Sequence, residues 1–199
     1  MRAVLFDLDG VLIDSYRVWF HVLNGVATGQ GYPAVSAEQF RATWGQGVEA
    51  DVRSFFPRHT VPEVERLYDA EYPRHLAHLT VDPEAAPLLA ALGSRGLGTA
   101  VVTNTPAPLT RRILAHGKLQ ADVLVGGTDV PLPKPAPDMV LRACELLGVG
   151  PQEAILVGDS RYDREAARAA GVRFVGFRTE GDERIESLRE LRGLAALEP

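Results

Sequence analysis

Residues 5–12 read LFDLDGVL, an apolar run that carries two aspartates, Asp7 and Asp9, where a strand is predicted to end. Side chains two positions apart on a strand share a face, so we expect the two carboxylates to lie close together and to repel each other. Asp and Gly are also common in solvated turns, and Gly10 fits such a turn. The motif alone therefore leaves a structural and a functional interpretation open.

The composition is that of an ordinary globular chain of 199 residues, 46% hydrophobic and 24% charged. This is enough to bury a core in one or two domains. The net charge of -5 provides no overall positive field, so we expect no nucleic-acid partner. The apolar runs are too short for a signal peptide or a membrane span, and the single cysteine cannot form an internal disulfide. We expect a cytoplasmic protein with no membrane partner.

Short apolar runs alternate with helical patterns from about residue 84 onward. Four of these runs are predicted strands: GTAVVTN at 98–104, ADVLVGG at 121–127, EAILVGD at 153–159 and VRFVGF at 172–177. They are hydrophobic throughout, which is typical of parallel strands covered by helices on both faces. Together with the early strand RAVLFD, they predict an α/β fold with a Rossmann-like, three-layer parallel sheet.

Residues 15–81 have a different pattern. WFHVLNGVA, SAEQFRATW and VPEVERLYDAEYPRHLAHL are helical in period and rich in aromatic residues, with no convincing strand. We therefore predict an all-helical cap domain at 15–81, inserted into a core domain formed by 1–14 and 82–199. The IDS segment after the first strand and VDPEAAP at 81–87 are the expected hinges.

Three predicted strands end in oxygen-bearing side chains: Asp7, Thr103 and Asp159. In an open α/β sheet, ligands bind beyond the carboxyl ends of the strands, so these residues are expected to meet at one edge. A single polar residue at a strand end carries little information. Three from separate segments, each at the same end of its run, indicate a binding or catalytic site.

Two loop residues are expected at the same edge, Lys134 in PLPKPAPD and Asp163 in GDSRYD. Lys134 is one of two lysines among 21 basic residues, which favours a specific need for a compact ammonium over an ordinary surface cation. Ser160 and Asp163 also have the spacing of a capping box, so structure and function are equally supported there. For Asp14 and Ser15, which precede a predicted helix, we favour plain capping.

The motifs DLDGVL, VVTN, KPAPD and GDSRYD, in this order, resemble the four motifs of the haloacid dehalogenase superfamily. The chain is most similar to the subfamily I phosphatases with a helical cap, which include phosphoglycolate phosphatase and β-phosphoglucomutase. The resemblance covers essentially the whole chain, because the helical insertion falls where that subfamily has its cap.

The resemblance implies a reaction through an aspartyl phosphate. Asp7 would be the nucleophile, and Asp9 would protonate the leaving alcohol and then activate water. Mg²⁺ is implied as cofactor, bound by the carboxylates of Asp7 and Asp159 and by the main-chain carbonyl of Asp9. Asp163 would support the metal site without binding the metal directly. The metal would also offset the repulsion between the two aspartates of the opening motif.

The resemblance also assigns the phosphoryl group and the rest of the substrate to different parts of the chain. The residues implied to hold the phosphoryl oxygens are Thr103, Asn104 and Lys134. Specificity is expected in the cap loop TWGQGVEADV at 43–52. Its candidate residues are Trp44, Gly45 and Gly47, although ordinary packing is slightly favoured for Trp44.

The expected function is that of a Mg²⁺-dependent phosphatase acting on a small phosphorylated metabolite, with phosphoglycolate as one candidate. Asp9 argues against halide displacement, because dehalogenases of the superfamily lack an acid there. A β-phosphoglucomutase-like mutase is one alternative, made less favourable by the absence of lysine from residues 15–80. A non-catalytic phosphate-binding regulatory protein is another. A monomer and a homodimer are both compatible with the sequence.

Overall fold

The computed structural model describes residues 1–194. The strands are β1 Ala3–Phe6, β2 Ile13–Asp14, β3 Thr80–Val81, β4 Gly98–Thr103, β5 Val123–Gly126, β6 Ala154–Gly158, β7 Arg173–Phe177 and β8 Glu183–Ile185. The α-helices are α1 Tyr16–Gly29, α2 Ala37–Thr43, α3 Val48–Phe55, α4 Val61–Glu71, α5 Ala85–Ser94, α6 Ala107–Gly117, α7 Asp138–Leu147, α8 Arg161–Ala170 and α9 Leu188–Leu194. Residues 195–199 of the predicted core domain lie outside the described residues.

Six strands form one sheet in the order β5-β4-β1-β6-β7-β8, and every neighbouring pair is parallel. β1 lies in the middle, with Phe6 opposite Val101 of β4 and Val157 of β6. This confirms the predicted α/β fold and all five predicted strands. The sequence pattern missed β8, because its three residues, ERI, contain a single apolar residue and form a short edge strand.

The hydrophobic residues of β1 alternate between the two faces of the sheet. Val4 and Phe6 join one buried cluster, Ala3 and Leu5 join the other, and all four are fully buried. Successive side chains of a strand point to opposite faces, so an unbroken apolar run requires helices on both sides. Each Leu or Phe buried in this way contributes about 2–3 kcal/mol. The three layers thus follow from the pattern of the strands.

The helices α1 to α4 form an insertion that leaves and re-enters the sheet domain through a small antiparallel ribbon. In this ribbon, Ile13 of β2 pairs with Val81 of β3, and Asp14 pairs with Thr80. The two ends of the insertion therefore lie side by side, at the two segments predicted as hinges. This agrees with a helical cap, while the boundaries 15–81 and the hinge motion stay predictions.

Aromatic side chains pack the helical insertion and orient its two tryptophans. Trp19 contacts Tyr68 and Tyr72 edge to face, with ring centroids 5.4 and 5.1 Å apart. Trp44 packs against Tyr16 and Phe40, at 5.0 and 5.7 Å. Such contacts restrict the indole rings, so that each N–H group points in a defined direction.

Along residues 1–194, no helix is both long and apolar enough to cross a lipid bilayer. The cytoplasmic location and the choice between monomer and homodimer stay predictions.

Candidate active site

Polar side chains from three strands meet at the carboxyl edge of the sheet. Asp7 follows β1, Thr103 ends β4, and Asp159 follows β6. Lys134 reaches this edge from the loop after β5, and Asp163 lies in the first turn of α8. The structure thus brings together the five residues that the sequence placed at one edge.

Lys134 is buried, with 4% of its surface exposed, and it lies between two carboxylates. Its Nζ donates to Asp7 Oδ1 at 2.9 Å, to Asp163 Oδ1 at 2.6 Å and to the main-chain oxygen of Val102 at 2.8 Å. Burial lowers the pKa of Lys134, but Asp163 and Asp7 raise it more strongly, so the net change is upward. An ammonium has three N–H donors, and all three are engaged. A contact between Lys134 and a phosphoryl group therefore requires the exchange of one of these bonds.

Asp7, Asp159 and Asp163 form a crowded group in which one oxygen of each lies within 4.8 Å of the others. Burial, followed by the charge of Asp163, raises the pKa of Asp7 well above its usual range, although Lys134 acts in the opposite direction. Burial and Asp163 also raise the pKa of Asp159 to about 7, against the lowering effects of Trp44 and Lys134. One ammonium does not balance three carboxylates, so the group has an excess of negative charge.

One fully buried oxygen of this group has no hydrogen-bond partner among the described residues. It is Oδ1 of Asp159, a buried atom whose companion Oδ2 accepts a hydrogen bond from the indole of Trp44 at 3.1 Å. Oδ1 of Asp7 is already shared by Lys134 and the main-chain N–H of Leu8. An unpartnered buried carboxylate oxygen in an acidic cluster is a suitable ligand for a hard divalent cation such as Mg²⁺. The donor set therefore fits the predicted cofactor.

Gly10 permits Asp159 to approach the chain that follows β1. It has a φ of +85°, and a Cβ at this position would overlap the carboxylate of Asp159. Any side chain here would combine backbone strain with displacement of Asp159. The glycine of the DLDG motif is thus required by the geometry of the acidic group.

Asp9 is not one of the three clustered carboxylates, and it accepts hydrogen bonds from four side chains. Its Oδ1 accepts from the Ser15 hydroxyl at 2.5 Å and from the Trp19 indole at 3.0 Å. Its Oδ2 accepts from the hydroxyls of Thr105 and Thr103, at 2.8 and 3.3 Å. Two of these donors come from the helical insertion and two from the end of β4. Asp9 is therefore oriented by both parts of the molecule.

The two predicted phosphate-binding residues that follow β4 have other partners in this structure. Thr103 donates to Asp9 and accepts from the main-chain N–H of Thr105 at 3.2 Å. The Asn104 amide donates to the main-chain oxygens of Gly45 and Lys134, and its oxygen accepts from the Lys134 N–H. Both N–H groups of the Asn104 amide are thus engaged, so its side chain connects the cap loop to the Lys134 loop. The predicted contact between Asn104 and phosphate stays a prediction. Because the side-chain N–H groups are engaged, the contact would have to come from the main-chain N–H of Asn104.

The cap loop predicted to face the substrate lies over the acidic group. Trp44 contacts Asp159 through its indole N–H, and Gly45, with a φ of +86°, lies against Ser160 and Tyr162. Gly47 precedes α3 and lies near Pro133. For Trp44 the sequence slightly favoured a packing role over a role in the site. The structure shows both contacts, because the ring packs within the cap while the indole N–H donates to Asp159.

Sequence reasoning missed several residues of the site and gave one of them another role. We expected Ser15 to cap α1, but its hydroxyl makes no cap bond and donates to Asp9. Trp19 and Thr105 gave no signal beyond helical period and strand termination. Asp163 makes two kinds of contact: Oδ2 accepts from Ser160 in the predicted capping box, and Oδ1 accepts from Lys134. Its support of a metal site stays a prediction.

A cavity of about 60 Å³ lies between the sheet edge and the cap. Asp7, Asp9 and Lys134 line its floor, and Trp19, Trp44 and Asp51 are among the cap residues above it. The cavity is therefore lined by both the sheet domain and the helical insertion.

Comparison with known proteins identifies one family. Residues 4–177 match the family model described as haloacid dehalogenase-like hydrolase. The phosphoglycolate phosphatase of Escherichia coli K12 is 32% identical in an alignment that covers 88% of this chain and 81% of that protein. The N-acetylmuramic acid 6-phosphate phosphatase of Pseudomonas aeruginosa PAO1 is 33% identical in an alignment that covers 89% of this chain and 82% of that protein. The crystal structure of a subfamily IA hydrolase of this superfamily from Geobacter sulfurreducens superimposes with a TM-score of 0.79 at 29% identity, covering 98% of this chain and 99% of that one.

Proposed function

This chain belongs to the haloacid dehalogenase-like hydrolases, and we propose that it hydrolyses a small phosphomonoester through an aspartyl phosphate on Asp7, with Mg²⁺ as cofactor. The observation that carries the proposal is the placement of Asp7 between a buried ammonium and a group of carboxylates, at the floor of a cavity covered by the cap. The phosphatases among its relatives support the same reaction class.

Asp7 has one oxygen free to act as nucleophile. Its Oδ1 accepts from Leu8 N–H at 2.8 Å and from Lys134 at 2.9 Å, which fixes the carboxylate and leaves Oδ2 for attack on phosphorus. The new bond from Oδ2 to phosphorus forms while the bond from phosphorus to the ester oxygen breaks, and the alcohol leaves with a proton. The ammonium of Lys134 stabilises negative charge near the phosphoryl group as this transfer proceeds.

Asp9 is the residue that transfers protons at this site. Its four donors, Ser15, Trp19, Thr103 and Thr105, hold its carboxyl group in one orientation beside the cavity. It delivers a proton to the leaving alcohol, then removes one from the water that hydrolyses the aspartyl phosphate, which regenerates Asp7 and releases phosphate. The fixed orientation reduces the entropy that each proton transfer costs.

Asp7, Asp159 and the main-chain carbonyl of Asp9 would hold Mg²⁺. When bound, the ion supplies the positive charge that lets a carboxylate approach an anionic phosphate ester. Asp163 keeps Lys134 and the loop at Ser160 in place through its two oxygens, which supports the site without a direct metal bond. The unpartnered Oδ1 of Asp159 favours this assignment.

The test is the release of inorganic phosphate from a panel of phosphomonoesters that includes phosphoglycolate, with Mg²⁺ or with a chelator. We expect release by the native protein with Mg²⁺ only, and a loss of about 10⁴-fold or more in Asp7→Asn. Asp14→Asn is the matched control, since Asp14 is exposed and lies in the ribbon outside the cavity.

Other outcomes would replace the proposal with one of its alternatives. Conversion of one sugar phosphate into another without release of phosphate would indicate a mutase. Binding of phosphate without turnover of any ester would indicate a regulatory protein.

A further inference from the structure

The cap wall of the cavity is apolar apart from a few polar groups. Leu23, Phe40 and Val48 are among its apolar lining residues, and the polar groups are centred on Asp51 in α3. Asp51 lies far from the acidic group in sequence and is not part of the proposed phosphoryl-transfer machinery. A carboxylate in this position faces the part of the substrate that differs between esters.

Asp51 is held by two neutral donors and by no cation. Its Oδ1 accepts from Gln46 Nε2 at 2.7 Å, and its Oδ2 accepts from the hydroxyl of Tyr68 at 2.9 Å. Tyr68 is itself buried, with 1% of its surface exposed. Among the described residues, none forms an ion pair with Asp51. Burial raises the pKa of Asp51 to about 7, against the lowering effects of Gln46 and Tyr68.

Hydrogen-bonding capacity remains on Asp51 after these two bonds. An ionised carboxylate has about four lone-pair sites, and Gln46 and Tyr68 occupy two of them. The remaining sites accept hydrogen bonds from hydroxyl or ammonium groups. They cannot donate a hydrogen bond to a carboxylate or a second phosphate, and such a group would be repelled by the like charge of Asp51.

Among the described residues that line the cavity, no second cationic side chain is available to bind such an anion. Lys134 is the single lysine or arginine among the described residues that line it. Its three donors are directed to Asp7, Asp163 and the main chain of Val102, at the floor of the cavity. A second anionic group on the substrate would therefore be desolvated without a counter-charge.

We infer that Asp51 is a specificity-determining residue that selects phosphate esters of neutral or cationic alcohols bearing a hydroxyl or amino group, and that it disfavours esters with a second anionic group. The inference rests on the proposed function and narrows it. It makes phosphoglycolate a poor substrate, in contrast to the candidate suggested by family resemblance. A site built to bind a substrate hydroxyl discriminates strongly against analogues that lack it.

The experiment compares esters that differ only in the group expected to face Asp51. At pH 8, kcat/KM is measured for phosphoglycolate, 2-hydroxyethyl phosphate, phosphoethanolamine and ethyl phosphate, which share a two-carbon skeleton. A second pair, glycerol 3-phosphate and 3-phosphoglycerate, has a three-carbon skeleton and tests a longer distance between the phosphate and the group that faces Asp51. For the wild type we expect the hydroxylated or aminated ester to exceed its carboxylate counterpart by about tenfold or more at one chain length at least.

The variant Asp51→Asn removes the charge and keeps the size of the side chain. We expect it to reduce the preference to about threefold or less, mainly through a lower KM for the carboxylate ester, while kcat/KM for ethyl phosphate changes little. Glu49→Gln is the matched control, because it removes the same charge from an exposed position of α3, where Glu49 pairs with Arg53. We expect Glu49→Gln to keep the wild-type preference.

The outcomes separate this inference from the proposed function. A wild-type enzyme that hydrolyses the carboxylate ester as well as its neutral counterpart at both chain lengths overturns the inference without recourse to any variant, and phosphate release still supports the phosphatase. An unchanged preference in an active Asp51→Asn also overturns it. Failure of the wild type to release phosphate from every ester, including p-nitrophenyl phosphate, overturns the proposed function and this inference together.

Discussion

The carboxylates on the floor of the cavity and the carboxylate on its cap wall have different kinds of partner. On the floor, Asp7 and Asp163 share a buried ammonium, and Asp159 stands beside them with an unpartnered oxygen. On the cap wall, Asp51 has a glutamine and a tyrosine as partners and no cation within the described part of the chain. The floor therefore suits the opposing charges of the proposed metal ion and phosphate. The cap wall is built for hydrogen bonds, which is what discrimination between neutral alcohols requires.

The largest expected effect comes from removing the ammonium of the floor. Lys134→Ala leaves Asp7 and Asp163 buried without their cation, and breaking a buried pair in this way costs about 3–5 kcal/mol. Urea unfolding without Mg²⁺ measures the loss. Lys118→Gln, at an exposed position, is the control and should stay within about 0.5 kcal/mol of the wild type. A loss below about 1 kcal/mol in Lys134→Ala would contradict the charge balance described for the floor.

The next effect is stabilisation of the floor by Mg²⁺. At a concentration a hundred times its Kd, the ion should raise the free energy of unfolding by about 2.7 kcal/mol. Asp159→Asn should lose most of this gain, since its unpartnered oxygen is the proposed ligand, whereas Asp51→Asn should keep it. Thermal unfolding with a series of Mg²⁺ concentrations measures both. Equal stabilisation of Asp159→Asn and wild type would remove Asp159 from the metal site.

A smaller effect is the pH dependence of the cap carboxylate. The pKa of Asp51 is raised from 3.8 to about 7, so its neutral form is favoured in the folded state. Its contribution to stability is therefore fully present below about pH 4 and is lost as the pH rises through about 7. Asp51→Asn does not titrate and should be more stable than the wild type at pH 8, by about 2 kcal/mol after allowance for screening by water in the cavity.

Unfolding of both proteins at pH 4, 6 and 8 checks this sign. The difference in unfolding free energy between Asp51→Asn and the wild type should grow toward pH 8. Glu49→Gln, exposed on the same helix, should show no such trend. A difference that is constant across this range would mean that Asp51 is not held as a neutral group by burial.

The smallest effects distinguish the two tryptophans, which donate to different sides of the floor. Trp44→Phe removes the N–H bonded to Asp159 and keeps most of the ring packing. We expect a rise of about tenfold in the Kd for Mg²⁺. Trp19→Phe removes the N–H bonded to Asp9, and it should lower kcat by a similar factor while leaving the Kd for Mg²⁺ unchanged. Metal titration and turnover are measured on both variants. A weaker Mg²⁺ affinity in Trp19→Phe but not in Trp44→Phe would contradict this assignment.

The sequence by itself determined the sheet and the positions of its functional edge. An unbroken apolar run buried on both faces requires a parallel sheet, and the carboxyl ends of such strands lie at one edge. Asp7, Thr103 and Asp159 could therefore be placed together before their distances were known. The exception, β8, is a short edge strand whose single apolar residue leaves no pattern.

The partners of these side chains were decided by the tertiary structure. Trp44 binds Asp159 across 115 positions of the chain, and Lys134 reaches Asp7 across 127. Local periodicity shows which face of a helix is buried, but not which donor of the cap meets which acceptor of the core. Ser15 could thus be expected to cap a helix, yet its hydroxyl binds Asp9. Asp51 lies in the segment 43–52 that the sequence predicted to face the substrate, but its position in the cavity wall depends on how the helical insertion packs over the sheet.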